Sequence, residues 1–283
     1  MSPAASPPPA DWTVRAGPLS LRRGGPLFLI AGPCVLEDDK LPFLVARELR
    51  DLCQSLGVPF IFKSSFDKAN RTRAGSFRGP GAKEGLALLA EVRKQVGVPV
   101  LTDIHEIEHA ELATGQVDVV QIPALLSRQT DLLLAAGRSG CAVNVKKGQF
   151  MAPRDIGWCI EKVRSTGNEN VMVTERGVSF GYGALVADMR SIPEMQKFGK
   201  PVVFDATHST QHMSGGPGGT SSGDREMAKV LARAAVAAGC DGVFAETHPE
   251  PEKALSDGPN MIRLGEMAGV VKGLVAIRQA IVP

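Results

Sequence analysis

The sequence predicts a single α/β domain folded as a closed (β/α)8 TIM barrel, and three observations lead there. Eight short apolar runs rich in β-branched residues recur along the chain, amphipathic stretches of helical period lie between them, and 283 residues with 43% hydrophobic content suffice for one large core. Strands buried on both faces read as continuous apolar runs, and helical crossovers force them to pair in parallel, so eight such units close on themselves. An open doubly wound sheet is the competing arrangement. It calls for a glycine-rich dinucleotide turn after the first strand, where this chain instead reads Gly32-Pro33-Cys34.

In chain order, residues 1–11 are mostly Ala, Ser and Pro, with no basic stretch followed by an apolar one. They are expected to form a disordered tail rather than a signal peptide, leaving residues 12–283 as one barrel domain. Trp12–Leu21 and Arg22–Pro26 are expected to pair as a hairpin that plugs the barrel's bottom. The strands are expected at Leu27–Ala31, Pro59–Lys63, Pro99–Thr102, Val117–Ile122, Ala142–Val145, Asn170–Thr174, Pro201–Phe204 and Gly242–Ala245. Helical periodicity marks Leu41–Ser55, Ala82–Gln95, Glu106–Thr114, Arg154–Ser165, Asp224–Ala238 and a closing helix over Ile262–Ile281.

Charge excludes several function classes. Thirty-two Lys and Arg against thirty Asp and Glu leave a net +2, too small an excess for a nucleic-acid or membrane partner, so any bound anion must be held by locally placed cations. No apolar run approaches the roughly 20 residues of a spanning helix. Five scattered cysteines argue against a disulfide framework and for a reducing cytoplasm.

Side chains at the carboxyl ends of barrel strands converge on one mouth. Nearly every predicted strand ends in a functional group: Cys34; Lys63 with Lys68; Asp103 with His105; Gln121; Lys146 with Lys147; Glu175 with Arg176; His208; and Glu246 with His248. One such residue would be an ordinary polar loop residue, but eight in succession form a pattern. Lys63, Lys146 and Arg176 directly follow apolar runs, where a cation is desolvated unless an anion meets it. Several cations converging on one mouth predict a substrate carrying several negative charges.

Cys34, His208 and Glu246 end the first, seventh and eighth strands, neighbours in a closed barrel, and Asp257 lies in the loop beyond. Thiolate, imidazole and carboxylates together suit a divalent transition ion, Zn²⁺, Fe²⁺, Mn²⁺ or Co²⁺, better than Mg²⁺ or Ca²⁺. Against this stands the plainer reading of a buried structural cysteine and a hydrogen-bonded core histidine. Cys53, Cys141, Cys159 and Cys240 read as packing residues and His109 as solvated. His212 with the loop Met213–Gly223 reads as a lid over the mouth, or else as a plain connector.

At these residues the chain resembles the 3-deoxy-D-manno-octulosonate 8-phosphate synthases. The resemblance is carried by AGPCVLE (31–37), FKSSFDKANRT (62–72), TDIHE (102–106), QIPALLSRQTDLL (121–133), NVKKGQFMAP (144–153), TERGVSFGYG (174–183), DATHS (205–209), AETHP (245–249) and SDGPNM (256–261). It implies a (β/α)8 barrel, a homotetramer, and condensation of phosphoenolpyruvate with arabinose 5-phosphate and water for lipopolysaccharide precursor synthesis. C3 of the enol attacks the aldehyde, water adds at C2, and phosphate leaves with C–O cleavage.

The related heptulosonate synthases, which accept erythrose 4-phosphate, typically carry a KPRTS-like stretch where this chain has Lys68-Ala69-Asn70-Arg71-Thr72. The resemblance therefore assigns Asn70, Arg71 and Thr72 to the aldose phosphate, with Arg128 reaching one across a subunit boundary. It assigns Lys63, Lys68, Gln121, Lys146 and Arg176 to phosphoenolpyruvate. Lys68, Asn70, Asp103 and His105 are the candidates for moving or positioning protons. Members with Cys after Gly-Pro at the end of the first strand use a catalytic metal, which places Cys34 with His208, Glu246 and Asp257 as ligands. A sialic-acid-type synthase would leave Arg71 and Arg128 without a role, and a non-catalytic phospho-sugar sensor would have no need of the four ligands.

Overall fold

The computed structural model describes residues 13–212 and 222–281. Eight parallel strands close into a barrel: β1 (Phe28–Gly32), β2 (Phe60–Lys63), β3 (Val100–Asp103), β4 (Val119–Ile122), β5 (Ala142–Lys146), β6 (Val171–Glu175), β7 (Val202–Asp205) and β8 (Gly242–His248). Each pairs with the next, and β8 returns to β1 with Glu246 opposite Gly32. The helices that follow them are α1 (Leu41–Leu56), α2 (Ala82–Val96), α3 (Ile107–Ala113), α4 (Thr130–Arg138), α5 (Ile156–Arg164), α6 (Ser191–Gln196), α7 (Arg225–Ala237) and α8 (Met267–Ile281).

The core has two layers because a strand's side chains alternate between faces. One set, including Leu29, Phe62, Val100, Val120, Val143, Val173 and Phe204, packs outward against the helices. The other fills the barrel: Phe28, Ile30, Ile61, Leu101, Val119, Ala142, Met172, Val203 and Phe244 meet Val14, Ala16 and Leu21 of the N-terminal hairpin. That hairpin pairs Thr13–Ala16 with Leu19–Arg22. Its turn therefore falls at Gly17-Pro18, four residues before the expected break after Leu21, because Gly17 supplies the left-handed conformation a two-residue turn needs (φ 56°).

The closing helix also starts later than its apolar pattern suggests. Ile262–Arg263 pair in parallel with Thr247–His248, so the backbone is extended there and α8 begins at Met267. Pro153–Asp155 form a 3₁₀ turn, and α5 starts only at Ile156. His109 is half-buried rather than solvated, edge-on to Phe66 at 5.1 Å and to His105 at 5.8 Å. The expected tail and most of the expected lid, residues 213–221, lie outside the described residues; Ser222–Gly223 pair with Gln211–His212. Cys53, Cys141, Cys159 and Cys240 are all buried and unpaired, as packing residues should be.

Gly32 shows how tightly the mouth is built. A Cβ there would sit 2.0 Å from the Lys63 carbonyl oxygen on β2. Gly32→Ala is expected to lower unfolding free energy by about 1–3 kcal/mol through overpacking. At an exposed position of helix α8, where a Cβ on Gly269 meets nothing, Gly269→Ala should raise it by about 0.5–1 kcal/mol; urea denaturation of both variants measures the contrast.

Candidate active site

Moving two residues up a strand keeps a side chain on the same face, and this takes the barrel interior from apolar to polar in one step. Ile61 leads to Lys63, Leu101 to Asp103, Val119 to Gln121, Ala142 to Asn144 and Lys146, Met172 to Thr174, Val203 to Asp205, and Phe244 to Glu246. Above this layer opens a cavity of about 1160 Å³ whose walls include Lys63, Lys68, Asp103, His105, Gln121, Lys146, Arg176, His208 and Asp257. Asn70, Arg71 and Thr72 line its outer part.

At one side stands a group of metal-type donors. Ligand atoms of Cys34, Glu246 and Asp257 lie within 4.8 Å of one another. His208 Nε2 is 3.5 Å from Glu246 Oε1 and 3.8 Å from Asp257 Oδ2. A tetrahedral ion with bonds of about 2.0–2.3 Å needs donors roughly 3.4–3.8 Å apart; the two His208 distances fall in that range, although His208 does not join the three donors that lie within 4.8 Å of one another. Glu246 Oε2 is buried with no hydrogen-bond partner among the described residues, which an ion would satisfy. Asp257 is held at φ 50°, the one non-glycine residue described with positive φ; such strain is common where a side chain is aimed for function. Burial, with Glu246 and Asp257 nearby, pushes the Cys34 thiol well above its usual value. Its Sγ lies within hydrogen-bond reach of Ser256 Oγ at 3.0 Å and Asp257 Oδ2 at 3.3 Å.

The cations stand beside these donors and are neutralised from below. Lys63 Nζ is 3.0 Å from Glu246 Oε1 and bonds the Cys34 carbonyl at 2.9 Å. Lys146 Nζ is 2.5 Å from Asp205 Oδ2 and 4.1 Å from the centre of the Phe244 ring. Burial pulls Lys146 below the ordinary lysine value, with Asp205 opposing. Lys68 is pulled down by burial but pushed further up by Cys34, Glu246, Asp103 and Asp257, and ends well above it. Arg176 donates to the His208 carbonyl and Gln211 Oε1, both at 2.8 Å.

The remaining expected residues divide. His105 Nε2 pairs with Asp103 Oδ2 at 3.0 Å, and Asp103 also accepts from Ser65. Arg71 spends Nε and Nη2 on the Phe77 carbonyl and also reaches the Leu255 carbonyl at 3.2 Å, stitching the loop after β2 to the loop after β8. Arg128 is exposed and lies away from this cavity, lining a separate pocket with Asp155, Trp158, Cys159 and Lys162. Several contributors escaped the sequence reading. Asn144 Nδ2 donates to Gln121 Oε1 at 3.0 Å while Asn144 Oδ1 accepts from Thr174 Oγ1 at 2.7 Å, which fixes the amide orientation of Gln121. Lys147 and Glu175, both read from the sequence as strand-end groups, are buried against each other, and Glu175 Oε1 accepts from the Arg176 and Gly177 amides. Asp205 was passed over as well. The signal for all of them is a polar residue set within or just after an apolar strand at the period of the interior face.

Burial alone would raise Asp103, but the hydrogen bond and charge of His105, with Lys63 and Lys68, hold it well below the usual carboxylate range. A depressed folded value contributes stability that is fully present above the ordinary carboxyl value of about 3.9 and is lost progressively as pH falls from there through the depressed folded value. Asp103→Asn should cost ~3 kcal/mol at neutral pH, as removal of one partner from a buried charged pair does. The gap from wild type, followed by urea unfolding, should stay constant down to about pH 5 and shrink below about pH 4.

The DAHP synthetase I family matches residues 16–281. The chain is 54% identical over 264 residues to the 2-dehydro-3-deoxyphosphooctonate aldolase of Geotalea uraniireducens (strain Rf4), covering 93% of this chain and 97% of that one. The proteins of the same name from Stenotrophomonas maltophilia (strain K279a) and Geobacter sulfurreducens are 57% and 53% identical, covering 89% and 91% of this chain and 91% and 95% of theirs. Matched along nearly its whole length, and carrying its functional side chains at the mouth of a (β/α)8 barrel, the chain belongs to the DAHP synthetase I family.

Proposed function

We propose that this chain condenses phosphoenolpyruvate with D-arabinose 5-phosphate and water, giving 3-deoxy-D-manno-octulosonate 8-phosphate and inorganic phosphate, a lipopolysaccharide precursor step. The observation that carries the reading is the meeting, in one cavity, of buried Lys63, Lys146 and Arg176 with His208 and Asp257, beside which stand the donors Cys34 and Glu246. The name shared by the relatives, 2-dehydro-3-deoxyphosphooctonate aldolase, supports the eight-carbon product.

Lys63, Lys68, Lys146 and Arg176 grip the phosphate and carboxylate of phosphoenolpyruvate and hold C3 in one pose, supplying orientation and charge stabilisation. Gln121, its carbonyl occupied by Asn144, presents its NH₂ donors to the same ligand. Asn70, Arg71 and Thr72 bind the aldose phosphate at the outer cavity, and Asp103 with His105 holds or moves protons beside it. Cys34, His208, Glu246 and Asp257 would hold a divalent transition ion, which would supply Lewis acidity for the aldehyde or the attacking water. His208 would then bind as neutral imidazole and would not shuttle a proton in the reaction. The protein works in the cytoplasm as a homotetramer, which covers the exposed Leu125, Phe150, Trp158 and Phe180 and brings Arg128 to a neighbouring subunit's aldose.

Two measurements test this. Phosphate release from phosphoenolpyruvate should be fast with arabinose 5-phosphate and at least tenfold slower with erythrose 4-phosphate, should fall after chelation and return on metal add-back; preference for the four-carbon aldose would make it a heptulosonate synthase. Cys34→Ala should lose bound metal and at least 99% of turnover, while Cys34→Asn keeps part of the activity. Stoichiometric metal in purified Cys34→Ala, read by elemental analysis, would refute the ligand set.

A further inference from the structure

Asp205 touches both halves of the site. Its Oδ2 lies 2.8 Å from His208 Nδ1 and 2.5 Å from Lys146 Nζ. Its Oδ1 accepts from the His208 amide at 2.9 Å and from Thr207 Oγ1 at 3.3 Å, and Thr207 Oγ1 in turn accepts from the Glu246 amide at 3.1 Å. The carboxylate is fully buried. Position explains the reach: Asp205 ends β7 pointing inward, and the turn His208–Thr210 folds back over it.

We propose that Asp205 is a positioning residue that couples the metal position to the enol phosphate position, one carboxylate oxygen being shared between an imidazole that binds the ion and an ammonium that binds the anion. This rests on the function proposed above and adds a thermodynamic link between its two ligands. A ring proton on Nδ1 points at Asp205 Oδ2, 2.8 Å away and otherwise without a hydrogen bond, in place of the 3.5 Å contact of Nδ1 with Lys146 Nζ, and leaves Nε2 bare, facing Glu246 and Asp257. An ion on Nε2 makes Nδ1–H a stronger donor and draws the carboxylate toward His208. Lys146 is then less neutralised and grips an anion harder. In the reverse direction, an anion that engages Lys146 releases the carboxylate to polarise the imidazole, and the ligand becomes more basic. Such coupling is reciprocal by necessity.

The test measures Zn²⁺ affinity by competition with a chromophoric chelator, and phosphoenolpyruvate affinity by calorimetry on metal-free and zinc-loaded enzyme, without aldose. In wild type each ligand should tighten the other about 5- to 150-fold. Asp205→Asn should weaken Zn²⁺ about 10- to 100-fold, leave phosphoenolpyruvate binding to the metal-free enzyme unchanged or tighter, and cut the mutual factor at least fivefold. A merely structural role would weaken both ligands together; that result, or an unchanged mutual factor, overturns the proposal. If wild type binds neither ligand, the proposed function itself fails. Should the variant not fold, ¹⁵N-histidine spectra of zinc-loaded wild type still decide: a proton on His208 Nδ1 with zinc on Nε2 is required, and the opposite arrangement refutes the coupling.

Discussion

Positive charge buried at the end of an apolar barrel has to be balanced before any ligand arrives, and that constraint organises the rest of the mouth. Lys63, Lys146 and Lys147 each stand on a carboxylate supplied by another strand: Glu246, Asp205 and Glu175. A lone buried ammonium would shed its proton or unfold the site, whereas a paired one keeps its charge and a fixed place. The pairing also sets the limits of the chemistry. Each lysine is only partly neutralised, so a ligand bringing more than one negative charge gains more from entering than a neutral sugar would.

The same pairing joins two centres that look separate when listed by residue type. Glu246 is at once a metal-type donor and the partner of Lys63, and Asp205 stands behind both His208 and Lys146. Phe244 lies under the lysines with its ring, a soft negative surface that costs no counter-charge. The buried cations and the donor group are thus one electrostatic unit built on β1, β2, β5, β7 and β8.

Much of this architecture can be read in the sequence because a strand buried on both faces has an unmistakable signature. The runs at Leu27–Ala31 and Ala142–Val145 fall within a residue of β1 and β5. Boundaries slip where polar function begins: β8 continues through Glu246, Thr247 and His248, which hydropathy reads as loop, since backbone pairing with Ile262–Arg263 is invisible to composition. The strand-end cations and donors were legible for the same topological reason that brings them together. Asn144, Thr174 and Asp205 were not, because a single polar residue beside an apolar run resembles a break in it until the interior face is known. Arg128 illustrates another limit. Its partners, if a second chain supplies them, are written nowhere near it in its own sequence.

The N-terminal hairpin carries a consequence for how reactants move. Val14, Ala16 and Leu21 seat against the lowest ring of barrel side chains with almost no exposure, and Asp241 clasps the Gly24 amide at 2.8 Å to keep that seal in place. The barrel is therefore a flask rather than a tube. In the proposed reaction the enol phosphate, the aldose phosphate, the water consumed and the phosphate released would share a single neck, so whichever molecule enters first would govern how much solvent can follow it down to the lysines.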